Sequence, residues 1–289
     1  MAVRRDGYRL AMLSDAETPE PRRVFASLDA FVSEYLTRVF QIDPSRNVHA
    51  WCPDWWRHPE AVVRLSAMWE AFEYARGRDS SSGVSQWHLD SAPLHLSALR
   101  DPKRGPFSRC SPVDGHVDAV VPMKAAAAPG GFWTGIPAFS VYTDTPDSDP
   151  DADPDSDDYL PLAYESLEEF VVLYVAAVFQ TDPESDVHAW CPYWWKHAEA
   201  VTRLAAMWHA YERYHHRPAE MSTWLLRYAD PALDLVRDPV HGPFAGCAAA
   251  GRHVRALIDM PVIPLPPGVR TDTHGGPLFA PPAPGDDAL

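Results

Sequence analysis

The 289-residue chain lacks a long hydrophobic run and lacks an excess of positive charge. No apolar stretch approaches the roughly 20 residues that cross a bilayer, and residues 1–23 lack the apolar core of a secretory signal. Lys and Arg number 25 against 40 Asp and Glu, which gives a net charge of −15. We therefore expect a cytoplasmic protein without a membrane partner. The charge also disfavours nucleic acid as a partner, because such binding needs clustered cations.

Several catalytic signatures are missing as well. The chain contains no phosphate-binding glycine loop, no His-Glu-x-x-His and no Gly-x-Ser-x-Gly. Much of the acidity lies outside any candidate domain, since residues 144–158 hold eight Asp and neither Lys nor Arg. The sequence therefore gives no positive indication of an enzyme.

Cysteine is scarce, at four residues. In a reducing compartment we expect these to be thiols or thiolates, although a disulfide between Cys52 and Cys110, and its counterpart in the repeat, is geometrically conceivable. All four cysteines belong to an internal repeat, as do ten of the eleven tryptophans.

The repeat is a tandem duplication. The segment His-Ala-Trp-Cys-Pro-Asp-Trp-Trp-Arg-His at 49–58 returns as His-Ala-Trp-Cys-Pro-Tyr-Trp-Trp-Lys-His at 188–197. Residues 31–73 align without a gap on residues 170–212, and a two-residue shift then aligns the Gly-Pro-Phe-x-x-Cys that ends in Cys110 with the one that ends in Cys247. A length difference of this size is typical of a surface loop.

We predict a mainly α-helical protein built from two small homologous copies of three to four helices each, joined by a disordered, acidic linker rich in Pro and Asp. The predicted segments are a disordered arm at 1–23, the first copy at 24–111, the linker at 112–161, the second copy at 162–250 and a Pro-rich tail at 251–289. Phe132, Trp133 and Ile136 form an apolar island in the linker, and a docking patch is one interpretation of it.

Helix boundaries carry clear signals. Ser27 is positioned to cap the first helix, and Ser166 with Glu169 forms the corresponding capping box in the second copy. A long helix is predicted from near Pro59 to about Arg76, with apolar residues spaced three and four apart.

Each copy supplies four residues of the types that bind zinc. They are His49, Cys52, His58 and Cys110 in the first copy and His188, Cys191, His197 and Cys247 in the second. Four nitrogen and sulfur ligands form a closed structural site, which contributes folding free energy that a small core lacks. The sequence thus permits one structural zinc ion per copy. A second interpretation is that these are core residues without a metal, and a third is a catalytic metal or thiol.

The adjacent tryptophans are candidates for recognition. A stack of exposed indoles could bind a base or a peptide, but five tryptophans in so small a copy more often build its core. Neighbouring residues of a turn point in different directions, so one member of each pair should face solvent or a partner. Arg64 and Arg203 could add a polar site, or could form ordinary surface pairs with Glu60 and Glu199 one turn away. The candidate binding residues are therefore Trp55, Trp56, Trp194, Trp195, Arg64 and Arg203.

The pattern Trp-Cys-x-x-Trp-Trp-x-His-x-Glu-Ala, followed by Arg-Leu, Trp, Ser-x-Trp and Gly-Pro-Phe-x-x-Cys, resembles a family of uncharacterised domains common in actinobacteria, their phages and their mobile elements. It covers residues 51–110 and 190–247. The resemblance implies an accessory protein of a mobile element or phage without an assigned activity. Two copies in one chain, and Ala198 in place of the Pro59-type residue, depart from the pattern.

Three functions follow as hypotheses. The first is a non-enzymatic scaffold that binds protein partners through two linked copies, which act separately or pack together as an intramolecular pseudo-dimer. The second is a single-stranded nucleic-acid-binding accessory protein that uses exposed tryptophan. The third is a metal-dependent hydrolase, which requires an open coordination position.

Overall fold

The computed structural model describes residues 23–46, 48–78, 82–132, 161–247 and 253–254. All of them belong to one compact unit, Met1–Val254. Most of the predicted arm and tail, and residues 133–160 of the predicted linker with Trp133 and Ile136, lie outside the described residues.

The described chain is helical, as predicted, and no strand occurs in it apart from two isolated bridges. In the first copy, helix α1 covers 28–39, with a π-helical centre at Phe31–Leu36. A 3₁₀ turn at Trp55–Arg57 leads into α2, Pro59–Arg78. Two short helices follow, α3 at Gly83–Asp90 and α4 at Ala92–Arg100.

The second copy repeats this order. Helix α5 covers 167–178, again with a π-helical centre, Phe170–Val175. A 3₁₀ turn at Trp194–Lys196 precedes α6, Ala198–Tyr214. Helix α7 runs over 221–236 as one piece, where the first copy has the separate helices α3 and α4.

The predicted caps are present. Ser27 Oγ accepts a hydrogen bond from the backbone N–H of Ala30, and Ser166 Oγ accepts one from that of Glu169. The long helix begins at Pro59, as predicted, and extends two residues beyond the expected end at Arg76. No described helix is both long enough and apolar enough to cross a membrane.

Each copy has its own aromatic core. In the first, Leu65 and Met68 of α2 are fully buried with Phe31, and the indole N–H of Trp87 donates to the carbonyl of Met68. In the second, the indole N–H of Trp224 donates in the same way to the carbonyl of Met207. Seven of the ten repeated tryptophans are buried, so the tryptophan repeat serves mainly to build two small cores.

The two copies contact each other through polar groups in a packed interface. The guanidinium of Arg64 on α2 pairs with Asp230 on α7, and His95 Nε2 lies 2.8 Å from Ser222 Oγ. Ala67 of the first copy belongs to the hydrophobic cluster of the second. Glu60 also binds Arg64, as their spacing of one helical turn predicts. This pair lies in the interface, however, and not on an exposed helix face.

Residues 121–132, which the composition assigned to the linker, pack on the second copy. Met123 is buried in the core of the second copy, and its backbone N–H donates to the carbonyl of Ala176. Val121 and Thr181 exchange both of their backbone hydrogen bonds in an antiparallel bridge. The described part of the predicted linker, residues 112–132, therefore packs against the two copies, and Met123 fills an apolar site in the second.

Candidate metal centre

Two of the candidate ligands are placed by the start of the long helix. Cys52 precedes a Pro-Asp turn, and the 3₁₀ turn Trp55–Arg57 then brings His58 to the position just before α2. The backbone N–H of His58 donates to the carbonyl of Trp55, and the carbonyl of His58 accepts from Val62 in the first turn of α2. The His58 end of the Cys-x₅-His segment is therefore held by backbone hydrogen bonds.

The third ligand comes from the Gly-Pro-Phe turn after α4. A Cβ atom at Gly105 would lie 2.6 Å from the carbonyl oxygen of Ala98, so only glycine permits this close approach. Phe107 is fully buried and meets His58 edge to face at 5.1 Å. The backbone N–H of Cys110 donates to the carbonyl of Phe107, which fixes the thiol next to the His58 ring.

A fourth residue, His116, completes the cluster. A tight turn closed by the bridge between Ser111 and Gly115 brings it back to Cys110, and Gly115 has a φ of +92°. Four donor atoms, one each from Cys52, His58, Cys110 and His116, lie within 4.8 Å of one another.

Three donor separations match the edges of a zinc tetrahedron, and a fourth, between the two histidine nitrogens, is shorter. The Sγ of Cys52 lies 3.4 Å from His116 Nδ1, and the Sγ of Cys110 lies 3.5 Å from His58 Nε2. The Sγ of Cys110 is 3.8 Å from His116 Nδ1, and the two histidine nitrogens are 3.0 Å apart. Zinc bonds of about 2.0–2.1 Å to nitrogen and about 2.3 Å to sulfur give tetrahedral edges of about 3.3–3.8 Å.

The second copy repeats the arrangement with Cys191, His197, Cys247 and His253. The Sγ of Cys191 is 3.5 Å from His253 Nδ1, and the Sγ of Cys247 is 3.7 Å from His197 Nε2. Phe244 meets His197 edge to face at 5.1 Å, as Phe107 meets His58. Each copy thus presents the same two sulfur and two nitrogen donors through the same atoms.

The surroundings of the cluster disfavour charge on the free side chains. Burial, followed by the neighbouring His116, lowers the pKa of His58 to about 4. Burial and the contact with Cys110 raise the pKa of the Cys52 thiol to about 12. The corresponding shifts in the second copy bring His197 to a pKa of about 4 and Cys191 to about 12, with burial again the main cause. A divalent cation reverses this preference for the thiols, because its charge stabilises thiolates.

The sulfur atoms also receive backbone hydrogen bonds. The N–H of Val117 donates to Cys110 Sγ, and that of Val254 donates to Cys247 Sγ, each with a nitrogen to sulfur distance of 3.4 Å. The four cysteines are free and form no disulfide. Such N–H donors stabilise negative charge on sulfur, which suits thiolates that bind a metal ion.

A carboxylate orients the ring of His116. Asp118 Oδ1 lies 2.7 Å from His116 Nε2, and Arg57 holds the same carboxylate at 3.0 Å. A carboxylate on the outer nitrogen of a ligating histidine fixes its orientation and raises its basicity. The sequence position that corresponds to Asp118 in the second copy is Arg255, so this carboxylate belongs to the first copy alone.

His49 and His188 do not join the clusters, and the predicted ligand sets change at this position. His49 is exposed next to Ala50, whose backbone N–H is tied to the carbonyl of Arg100 at the end of α4. His188 Nε2 instead lies 3.4 Å from the carbonyl oxygen of Arg104 in the first copy. The structure therefore places neither histidine in the cluster of its copy.

A signal for His116 was present in the sequence. The pattern Cys-x₅-His-Val occurs at 110–117 and again at 247–254. The repeat as aligned ends at the last cysteine of each copy, and the predicted linker at 112–161 begins before His116.

The other candidate residues divide by environment. Trp55 and Trp194 are buried, whereas Trp56 is 57% exposed. The expectation that one tryptophan of the pair faces outward is thus met in the first copy. Trp195, the counterpart of Trp56, is buried against Phe132 with ring centroids 4.7 Å apart. Arg203 makes an exposed pair with Glu199.

The family described as "Domain of unknown function (DUF4913)" matches residues 25–129 and, a second time, residues 164–266. Both matched ranges include the Cys-x₅-His-Val segment and extend past the copy boundaries predicted from the sequence. No curated protein and no solved structure matches the chain.

Proposed function

The chain belongs to this family of unknown function and carries its domain twice, and we propose that it is a non-enzymatic binding protein in which one structural zinc ion holds each copy together. The four donors Cys52, His58, Cys110 and His116, converging within 4.8 Å of one another, are the observation that carries the proposal.

The donor chemistry supports zinc. Two cysteines and two histidines form a typical structural zinc set, whereas magnesium and calcium prefer oxygen ligands. The donor atoms are separated by distances close to the edges of a zinc tetrahedron.

The number of donors supports a structural role. Catalytic zinc sites generally use three protein ligands and leave the fourth position to water or substrate. Here four side chains supply the whole tetrahedron in each copy, and Cys52 and His58 are buried. A hydrolase would need one of these donors to leave, so the geometry favours a closed site that links the helix start to the chain after α4.

Elemental analysis of the purified full chain tests the proposal. We expect about two zinc ions per chain, falling to about one in Cys52→Ser or Cys191→Ser and to none in the double variant, because each site loses a thiolate. The conservative variants Cys52→His and Cys191→His keep a zinc donor and should retain more metal than the serine variants. Purification in the presence of zinc and a reductant that yields no bound metal in the folded wild-type chain would reject the proposal.

The binding role is proposed for protein partners, in the accessory machinery of a mobile element or phage. The resemblance of the repeat to domains of such elements and the two linked copies support this assignment. Residues 31–110 hold ten Lys and Arg against nine Asp and Glu, which gives little attraction for phosphate. Fluorescence titration with a single-stranded oligonucleotide at low salt separates the alternatives. We expect no binding, and salt-sensitive quenching of Trp56 would favour nucleic acid.

A further inference from the structure

A small apolar groove remains open on the surface of the first copy. It encloses about 70 Å³ and lies between the end of α1, the chain around Trp51 and α4. Its lining residues are Leu36, Thr37, Phe40, Ile42, Trp51, Leu96 and Arg100.

The matching place in the second copy is filled by residues 121–128. The backbone N–H of Met123 donates to the carbonyl of Ala176, and the indole N–H of Trp190 donates to the carbonyl of Lys124. Val121 bridges to Thr181, and Ala126 donates to the carbonyl of Pro192. The Met123 side chain, 4% exposed, lies in the hydrophobic cluster of that copy.

The repeat aligns the two places residue by residue. Thr37, Ile42 and Trp51 in the first copy correspond to Ala176, Thr181 and Trp190 in the second. All three residues of the second copy take part in holding the segment. Among the described residues, the indole N–H of Trp51 has no hydrogen-bond acceptor, whereas that of Trp190 donates to the carbonyl of Lys124.

Apolar side chains near the groove are more exposed in the first copy than their counterparts in the second. Val39 is 47% exposed where its counterpart Val178 is 9% exposed. Trp56 is 57% exposed, whereas Trp195, covered by Phe132, is 7% exposed. The first copy thus presents an apolar strip from its groove to Trp56, which in the second copy is covered by an extended segment.

We propose that the groove of the first copy is a docking site for an extended segment of a partner protein, which inserts a methionine two residues after a β-branched residue, in the register of Val121–Met123. The segment adds backbone hydrogen bonds along the end of α1 and places its methionine between Phe40 and Trp51. Methionine suits a small irregular pocket with aromatic walls, because its side chain is flexible and its sulfur packs well against rings. This inference deepens the proposed function by naming the chemistry of a partner, and it rests on that function.

The chain contains a second segment with the same pattern of apolar residues. Val117, Ala119, Val121 and Met123 follow His116 at the same spacing at which Val254, Ala256, Ile258 and Met260 follow His253. The family match in the second copy also reaches residue 266. A segment with the required pattern is thus a repeated feature of this domain, and residues 258–263 supply the natural comparison in a test.

The experiment titrates the full chain with a synthetic peptide of residues 117–128. Its control is the same peptide with glutamate in place of Met123. Four proteins are compared by calorimetry: wild type, Met260→Glu, Met260→Glu with Thr37→Arg, which blocks the groove, and Met260→Glu with Leu89→Arg. Leu89→Arg, at a residue 73% exposed and not among those that line the groove, is the matched control for Thr37→Arg.

We expect the methionine peptide to bind the Met260→Glu chain at least tenfold more tightly than the glutamate peptide, and Thr37→Arg to remove this binding while Leu89→Arg does not. We also expect the methionine peptide to bind wild type as tightly as it binds Met260→Glu, which supports a partner segment as the occupant. Binding only after Met260→Glu would show that residues 258–263 of this chain occupy the groove and would overturn a partner as its occupant. Absence of methionine-dependent binding to both the wild type and Met260→Glu would overturn the inference. Zinc content, measured on the same samples, shows separately whether the proposed metal site holds.

Discussion

Arg64 of the first copy donates two hydrogen bonds to the carboxylate of Asp230 in the second, at 2.6 and 2.9 Å. The same guanidinium binds Glu60 one turn before it on α2, at 2.8 Å. Arg64 is 4% exposed, and its carboxylate partners raise its pKa despite the opposing effect of burial. Its counterpart Arg203 forms the equivalent pair with Glu199 on the protein surface. One repeated ion pair therefore serves two roles, and only the first joins the copies.

Arg64→Ala should destabilise the chain by about 3 kcal/mol, because it leaves two carboxylates close together without their cation in a largely buried site. The measurement is the free energy of unfolding by urea denaturation at pH 7.5. Arg203→Ala is the matched control and should cost less than about 1 kcal/mol, as is usual for exposed pairs. Equal losses in the two variants would contradict an interface role for Arg64.

His95 makes the same interface sensitive to acid. It is fully buried beside Ser222, and burial, followed by the charge of Arg64, lowers its pKa to about 3. The unfolded chain, with an ordinary histidine pKa of about 6.5, binds the proton more readily. The stability that the neutral ring contributes is therefore complete above about pH 6.5 and decreases as the pH falls toward 3. Between pH 7.5 and 6.0 this amounts to about 0.8 kcal/mol.

His95→Gln should remove this part of the pH dependence while keeping a polar group near Ser222. Comparing the unfolding free energies of wild type and variant at the two pH values isolates His95 from the other buried histidines and from Arg64, Asp230 and Glu60 around it. The same loss of stability in both proteins would show that His95 does not titrate as described.

The choice between His116 and His49 as the fourth ligand is directly testable. His116→Ala should reduce the bound zinc from about two ions per chain to about one, because a three-ligand site binds zinc more weakly. His49→Ala should retain both ions, since His49 is exposed and outside the cluster. His116→Cys restores a zinc donor and should recover the second ion if the site is as described. Loss of zinc in His49→Ala together with full retention in His116→Ala would reverse the assignment.

Asp118 should matter for only one of the two sites. Asp118→Ala removes the carboxylate that orients His116, and loss of such a partner typically weakens zinc binding 10–100-fold. Competition with a chromophoric chelator should then show one zinc ion released more easily and the other unchanged. An equal shift at both sites, or none, would mean that the carboxylate does not support the metal ligand.

Much of this organisation could be predicted from the sequence, because local signals are strong. The cap at Ser27, the helix start at Pro59 and the paired cysteines follow from spacing and residue type. Cys52 and Cys110 could be assigned to one cluster because both recur in the second copy and are residues of a type that binds zinc together with histidine.

Other features depend on contacts between distant segments. Helix spacing alone cannot show that Arg64 is buried against the second copy while Arg203 stays exposed. Composition placed Met123 in a disordered linker, although one apolar side chain with a matching pocket is enough to help order such a segment. His116 was missed as a candidate ligand for the same reason, because it lies beyond residue 111, the predicted end of the first copy.

X-ray absorption at the zinc edge of the purified full chain tests the central claim most directly. Closed sites made of two cysteines and two histidines predict an average zinc shell of two sulfur atoms at about 2.3 Å and two nitrogen atoms at about 2.0–2.1 Å, with about two zinc ions per chain. A shell dominated by oxygen, or a folded, fully reduced protein that takes up no zinc, would contradict it.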